Sequence, residues 1–343
     1  MSSRGEEARK IQVTGKSTYI VSLPKKWVEE VKIKRGEQIQ LVRQDDMSLL
    51  LIPKNVPKER SREVEINISP KDSPDSIIRR VIAFYLIGYN LIRVTTKERF
   101  TQEQREFLKD FIRRKLVGAE IVADSKNGVT LQTLLDHSEL SVENALRRMS
   151  VITISMHRDA MAALEENDRE LAQTIIRTDD EVDRFSFYII RLLKHAVGDS
   201  RIIKEIGLKT ARDCLGYRLI LKSVERAADH AVSIARNVLT MKPIDSELFK
   251  KISEMSDFAI SIFEESLNSL FAKDYSLADE ILIRKKTIET YDKAVIREIS
   301  STQLDSETVA SLRLIVESIR RLAEYGSDIA EVVLNLVAES TIT

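Results

Sequence analysis

Between Pro74 and the C-terminus a single proline, Pro243, interrupts the chain. A proline inside a helix removes a hydrogen bond and costs about 3 kcal/mol, so its near absence leaves long helices open to this sequence. Only ten glycines occur in 343 residues, and a jelly roll or propeller would need many more turn residues than that. From Ser138 onward apolar side chains recur at helical spacing, as in Leu140, Met149, Ile152, Met156 and Leu164, then Phe185, Ile189, Leu192 and Leu193. Breaks fall near Asn167-Asp168, Gly198-Asp199, Lys242-Pro243, Lys273-Asp274 and Ser300 to Asp305, which predicts six helices in two sets of three. Asp168, Leu171, Ala172 and Ile175 recur 106 residues later as Asp274, Leu277, Ala278 and Ile281. Asp229, Ile234, Ala235 and Val238 pair 95 residues on with Glu324, Ile329, Ala330 and Val333. A period of this length implies duplicated three-helix bundles rather than a short-repeat solenoid.

The front of the chain reads differently. Ile11 and Val13 alternate with polar neighbours, and after Gly15 the alternation resumes at Tyr19, Val21 and Leu23, which is strand periodicity around a turn. Pro24 can open a short helix, Lys25 to Val31, at the first helical position. A second strand pair follows, Gln38 to Arg43 and Ser48 to Ile52, separated by Asp45-Asp46. About fifty residues of this kind cannot bury a good core alone, so a dimer sharing strands is expected. Residues 55 to 136 read as a small α+β module: strand Glu63 to Ile68, helix Asp75 to Gly88, strand Leu91 to Thr95, helix Thr101 to Val117, and strands Ala119 to Asp124 and Val129 to Leu134 around Asn127-Gly128. It contains no glycine-rich phosphate loop and no nucleophile motif, and its expected role is that of a regulatory or dimerising connector.

Composition narrows the class. With 43% hydrophobic and 31% charged residues the chain folds rather than remaining disordered. No apolar run reaches the ~18 residues of a membrane span, and the charged N-terminus lacks the apolar stretch of a signal peptide, so a soluble, cytoplasmic protein is expected. Cys214, the one cysteine, excludes an intramolecular disulfide and multi-cysteine metal sites within one chain and is expected in the core. The net charge of zero conceals +4 over residues 1 to 54, +3 over 55 to 136 and −7 over the remainder. The two ends therefore face different partners.

RKIQVTGKSTYIVSLPKKW followed by IKRGEQI resembles the swapped-hairpin DNA-binding domain of the AbrB, SpoVT and MazE type. VERAADHAVSIARNVL, Val224 to Leu239, with TDDEVDRF, Thr178 to Phe185, resembles the phosphate-uptake regulators called PhoU. That resemblance implies two tandem three-helix bundles bearing Glu/Asp-x-x-x-Asp carboxylate pairs on their second and third helices. Archaeal-type relatives carry both parts in this order. The implied layout is an N-terminal swapped-hairpin β domain (1–54), the α+β connector (55–136), and a mainly α C-terminal region of two bundles (137–242 and 243–343).

The carboxylate pattern lands on Asp179 and Asp183, and on Glu225 and Asp229. Residues four apart share a helix face, so two facing helices could direct four carboxylates at one divalent, iron or zinc ion. Asp179, Asp180, Glu181 and Asp183 could equally form a solvated acidic face near a helix start, favoured by the helix dipole. His230 could add a ligand or be an ordinary polar side chain; His137, His157 and His195 have no partner at ligand spacing. In the second bundle Asp183 and Asp229 map to Glu289 and Glu324, but Asp179 and Glu225 map to Lys285 and Arg320. Those cations are expected to pair across helices with the surviving carboxylates in place of an ion.

Function follows as an expectation: a non-enzymatic, dimeric regulator of phosphate uptake that binds double-stranded DNA through Arg9, Lys10, Lys16, Lys25 and Lys26, cations able to neutralise backbone phosphates or else to form a solvated face. Trp27 is expected in the core rather than stacked on bases. The helical half would contact a phosphate transporter or a phosphate-signalling protein. A transporter-associated regulator without DNA binding and a metal-dependent enzyme of the helical half are the alternatives, the second supported only by the carboxylates and His230.

Overall fold

The computed structural model describes residues 7–15, 17–43, 47–53, 62–134 and 140–338. Lys16, His137 and the Asp45-Asp46 turn lie outside the described residues. The chain divides into two compact units, Met1–Ser61 and Arg62–Thr343.

The first unit holds two antiparallel hairpins, β1 (Gln12–Thr14) with β2 (Thr18–Ile20) and β3 (Ile39–Arg43) with β4 (Leu49–Pro53), and the short helix α1 (Lys25–Glu30). Each hairpin is its own two-stranded sheet. Pro24 caps α1 from the position before it rather than occupying its first turn. No side chain described between residues 7 and 43 is fully buried. Trp27 is half-buried, not the core residue expected, because among the described residues of this unit no opposing layer encloses it.

In the second unit the connector consists of β5 (Glu63–Ile68), α2 (Pro74–Ile87), β6 (Leu91–Thr96), α3 (Gln102–Lys115), β7 (Ala119–Ser125) and β8 (Gly128–Thr133). The sheet order is β5-β6-β8-β7; β5 runs parallel to β6 through the α2 crossover and the other pairings are antiparallel. One sheet face buries Ile66, Ile92, Val94, Val129 and Leu131 with residues of α2 and α3. The other is polar, with Arg93 bonded to Glu63 at 2.8 Å and the Thr95 hydroxyl donating to Glu65 at 2.8 Å. Ser73 and Thr101 cap the two helices, Thr101 with Gln104 in a reciprocal capping box. Gly88 ends α2 at φ +101°, and a Cβ there would enter the His195 ring, so the glycine serves both the left-handed cap and the close seating of the connector on the next layer.

The helical half comprises α4 (Val142–Glu166), α5 (Arg169–Gly198), α6 (Ser200–Glu205) and α7 (Asp213–Val238), then α8 (Ser246–Ala272), α9 (Tyr275–Arg284), α10 (Ile288–Ser301) and α11 (Ser306–Val337). The duplication extends to the backbone. Asp168 and Asp274, 106 residues apart, cap α5 and α9 by accepting from Leu171 N and Leu277 N. The residues before them, Asn167 and Lys273, both end their helices in the left-handed conformation at φ 51° and 57°. Two features depart from six uninterrupted helices. Asp199 accepts from the Arg201 backbone and guanidinium and starts the extra helix α6. The middle helix of the second bundle is split by a 3-10 turn at Lys285–Thr287, none of whose side chains is buried, so no core contact resists the break. Buried side chains of both bundles, among them Met149, Ile189, Phe263 and Ile319, form one continuous core, and a Cβ on Gly326 would lie 2.9 Å from the Phe263 Cα, so α8 and α11 approach backbone to backbone. Cys214 is buried in this core as expected. Among the described residues no helix is long and apolar enough to cross a membrane.

Candidate functional site

Helices α5 and α7 bring the four expected carboxylates into one electrostatic neighbourhood. Burial, then Asp183, Asp229 and Glu225, push the Asp179 carboxyl up to about 6, against a partial opposing effect of Lys115. Partial desolvation and Glu225 raise Asp229 as well. Asp179 lies ten positions into α5, whose first residue is Arg169. The helix-dipole account of these acids fails for that reason, since the dipole acts within the first turn.

Two of the four carboxylates already hold cations. Lys115, at the last turn of α3, places Nζ 2.6 Å from Asp183 Oδ2 and 2.5 Å from Asp180 Oδ1. The neighbouring Arg114 also pairs with Asp180. Lys222, one turn before Glu225 on α7, pairs with that carboxylate. In type and charge the donors suit a hard cation, because Asp179 and Asp229 remain under-neutralised. Their placement does not match, however: no group of three or more His, Cys, Asp or Glu side chains among the described residues is set to hold a metal ion. An ion at Asp183 and Glu225 would require both ammonium groups to leave.

His230 does not join the cluster. Its Nε2 lies 3.3 Å from the Tyr325 hydroxyl of α11, and the charges acting on it are those of Arg321, Glu317 and Glu324. Consecutive helix residues point in different directions, so a histidine directly after Asp229 is aimed at the other bundle. His157 is buried between α4 and α7; its Nε2 donates to Ala227 O at 2.8 Å, and burial pushes its pKa down to about 4.

The second bundle keeps its cations, with one change of partner. Arg320 pairs with Glu324 and Glu317 on its own helix, at 2.5 and 2.7 Å, not across helices as expected; residues three and four apart on a helix are neighbours on one face. Lys285 acts across the bundle on Asp328 of α11, an acid the repeat alignment did not single out. Glu289 is exposed.

Sequence reasoning missed Lys115 and Arg114, the partners of Asp180, and also Arg191. This buried arginine of α5 donates to Tyr85 O at 2.5 Å and to Tyr89 O at 3.0 Å, and lies over the Tyr85 ring. In the first unit Lys10, Lys25 and Lys26 are exposed. Lys25 has a loose 3.7 Å contact to Glu29, and Arg9 pairs with Glu7.

Comparison with known proteins places these features. Residues 146–238 and 252–333 match the PhoU domain, one copy in each bundle. Residues 12–59 match the family described as antidote-toxin recognition MazE, bacterial antitoxin. A phosphate-specific transport system accessory protein PhoU homolog of Clostridium acetobutylicum is 22% identical over 213 residues, covering 59% of this chain and 92% of its own length. One from Caulobacter vibrioides is 23% identical over 192 residues, 54% of this chain and 82% of that protein. The crystal structures of the phosphate transport system regulatory protein PhoU from Streptococcus pneumoniae and of PhoU from Pseudomonas aeruginosa each superpose with a TM-score of 0.50 at 20% identity, covering 59% and 58% of this chain and 96% of theirs. The matched segments end on the two repeated bundles and take in more than half of the sequence, and with the small N-terminal β region ahead of them the chain belongs to the PhoU family.

Proposed function

We propose that the protein is a dimeric regulator of phosphate uptake whose N-terminal unit binds duplex DNA and whose helical half registers phosphate status through a phosphate transporter or a phosphate-signalling protein. The observation that carries this reading is the pairing of a PhoU-matching helical half with a basic, MazE-matching unit that cannot enclose its own apolar residues. Ile11, Val13, Tyr19, Leu41 and Leu49 are 59 to 75% exposed, and a second copy supplying strands would cover them. Lys10, Lys16, Lys25 and Lys26 are the groups assigned to DNA phosphates, joined by Arg9 once it releases Glu7. The carboxylates Asp179, Asp183, Glu225 and Asp229 are assigned to a divalent cation that replaces Lys115 and Lys222. The second bundle, with Lys285 and Arg320 in the corresponding places, is assigned none.

Affinity selection of genomic duplex fragments by the full-length protein tests the DNA assignment. Recovery of a discrete set of fragments is expected. Retention of no duplex at low salt, together with capture of transporter components, would replace this reading with that of a transporter-associated regulator whose N-terminal unit only dimerises.

A further inference from the structure

The two copies of the bundle differ most at one end. Asp199 and its counterpart 106 residues on, Asp305, each cap the helix that follows, but Asp305 leads straight into α11 whereas Asp199 leads into α6. By α7 the repeat offset has fallen to 95, so the first bundle has eleven extra residues here, all between Asp199 and α7. The second bundle makes the same turn without them. The insertion is nonetheless built into the fold. Ile202, Ile203, Ile206 and Leu208 are buried, the Ile206 carbonyl accepts from the Val142 N–H at 3.1 Å, and Asp213 closes the loop by accepting from the Lys209 and Thr210 backbones. What it adds to the surface is positive charge. Residues 194–222 hold seven basic and three acidic side chains, against one and three in the corresponding residues 300–317. The three acids are engaged locally: Asp199 by Arg201, Asp213 by Thr210 and the loop backbone, and Glu205 by the charge of Arg201. Lys194, Lys204, Lys209 and Arg218 are exposed and form no ion pair among the described residues. Apolar side chains project beside them. Val197, three residues after Lys194, is 63% exposed, and Leu215 and Leu219, on the α7 face that carries Arg218, are 69 and 60% exposed.

We propose that this end of the first bundle docks on the surface of an anionic lipid bilayer, with Val197, Leu215 and Leu219 entering the headgroup boundary and the cations around them meeting lipid phosphates. Cations alone suit any polyanion. Duplex DNA, however, offers no apolar phase to three projecting aliphatic side chains, and an acidic protein needs a groove shaped to receive them. A bilayer takes both kinds of group without a matched shape, since apolar burial and attraction to anionic lipid act together at its interface. The helical half carries −7 overall, but screening at physiological salt limits the reach of each charge to ~8 Å. A surface approaching this end therefore meets the local excess of cations rather than the net charge of the half.

Co-sedimentation of the full-length protein with lipid vesicles tests this. Vesicles of equal parts phosphatidylcholine and phosphatidylglycerol should retain the wild type, less so as salt rises, and vesicles of phosphatidylcholine alone should not. Each Lys or Arg at an anionic leaflet strengthens binding roughly fivefold, so Lys204→Gln with Lys209→Gln should lower retention on the mixed vesicles at least about tenfold. Leu215→Ser with Leu219→Ser should lower it several-fold while keeping the salt response. Leu314→Ser, at the exposed leucine in the corresponding place of the second bundle, should change nothing, and Lys25→Ala with Lys26→Ala should still be retained. Equal retention of the wild type on both vesicle types, or on neither, overturns the proposal, the second being the result expected if an acidic protein occupies this end. Loss of retention in the Lys25 and Lys26 variant alone overturns it by assigning the lipid to the N-terminal unit. So does a weakening of duplex binding by Lys204→Gln with Lys209→Gln while retention on vesicles is unchanged. The wild-type comparison of the two vesicle types decides the matter even if a variant does not fold.

Discussion

Asp179 carries a charge that its surroundings resist. Its carboxyl is raised from 3.8 to about 6 by burial and by neighbouring carboxylates, so between these values the folded chain binds a proton that the unfolded chain releases. Stability from this group therefore rises as pH falls through about 6 and levels off below 3.8. In the presence of a chelator, Asp179→Asn should be more stable than wild type at pH 8, with a difference that shrinks as pH falls below 6; denaturant titrations across that range check it, and a constant difference would sink the assignment. His157 works in the opposite sense. Its pKa falls from 6.5 to about 4 on burial, so stability is lost as pH drops through that interval, and the two must be separated by comparing variants rather than from the wild-type curve. Arg320 is a milder case. Its side chain is 30% exposed and its partners lie on the same helix, so Arg320→Ala should cost no more than ~1 kcal/mol, measured by chemical unfolding. These acids and Arg320 were readable from spacing. Lys115 was not, because it meets Asp183 from 68 residues away, a distance no helical or strand period encodes. Lys222, three residues before Glu225, was within reach of the same spacing rule that found the carboxylates.

Whole helices and strands followed the sequence where capping and burial agree. Asp168, Asp274, Asp245 and Asp305 each accept from backbone N–H groups at the start of a helix, which is why those boundaries could be placed from an acid after a polar break. The split between α9 and α10 could not, since the apolar spacing continues through Ile281 and Ile288, both buried, and only the turn of polar residues between them departs from the helix. Strand positions in the first unit were equally readable, and the alternation marked an apolar set on each strand, yet those side chains, Val13 and Leu41 among them, are exposed. Isolated two-stranded hairpins are marginal in water. The full-length chain is therefore expected to sediment as a dimer, and Val13→Asp combined with Leu41→Asp should yield a monomer that keeps its helical circular dichroism. A wild-type monomer at micromolar concentration would remove strand sharing from the account.

Across the whole chain, the front carries +4 and the helical half −7, so by charge alone a polyanion is attracted by the first and repelled by the second. Phosphate contacts release condensed counterions, and each adds about −0.9 to the slope of log affinity against log salt. A dimer presents every lysine twice, so Lys25→Ala with Lys26→Ala should make that slope shallower by up to about 4 and weaken binding to all duplexes alike, since phosphates carry no base identity. Arg9 should matter less than either lysine at low salt, because its guanidinium must first leave Glu7, whereas Lys25 gives up only a 3.7 Å contact with 90% of its side chain in solvent. Removing charge from the helical half offers the contrasting case: Lys222→Ala withdraws a cation from the carboxylate site and should leave the salt slope unchanged. Fluorescence anisotropy of a labelled duplex over a series of salt concentrations measures all of these. If the double lysine variant and wild type share one slope, these side chains do not touch phosphate, and the basic front of the chain has to be explained by another partner.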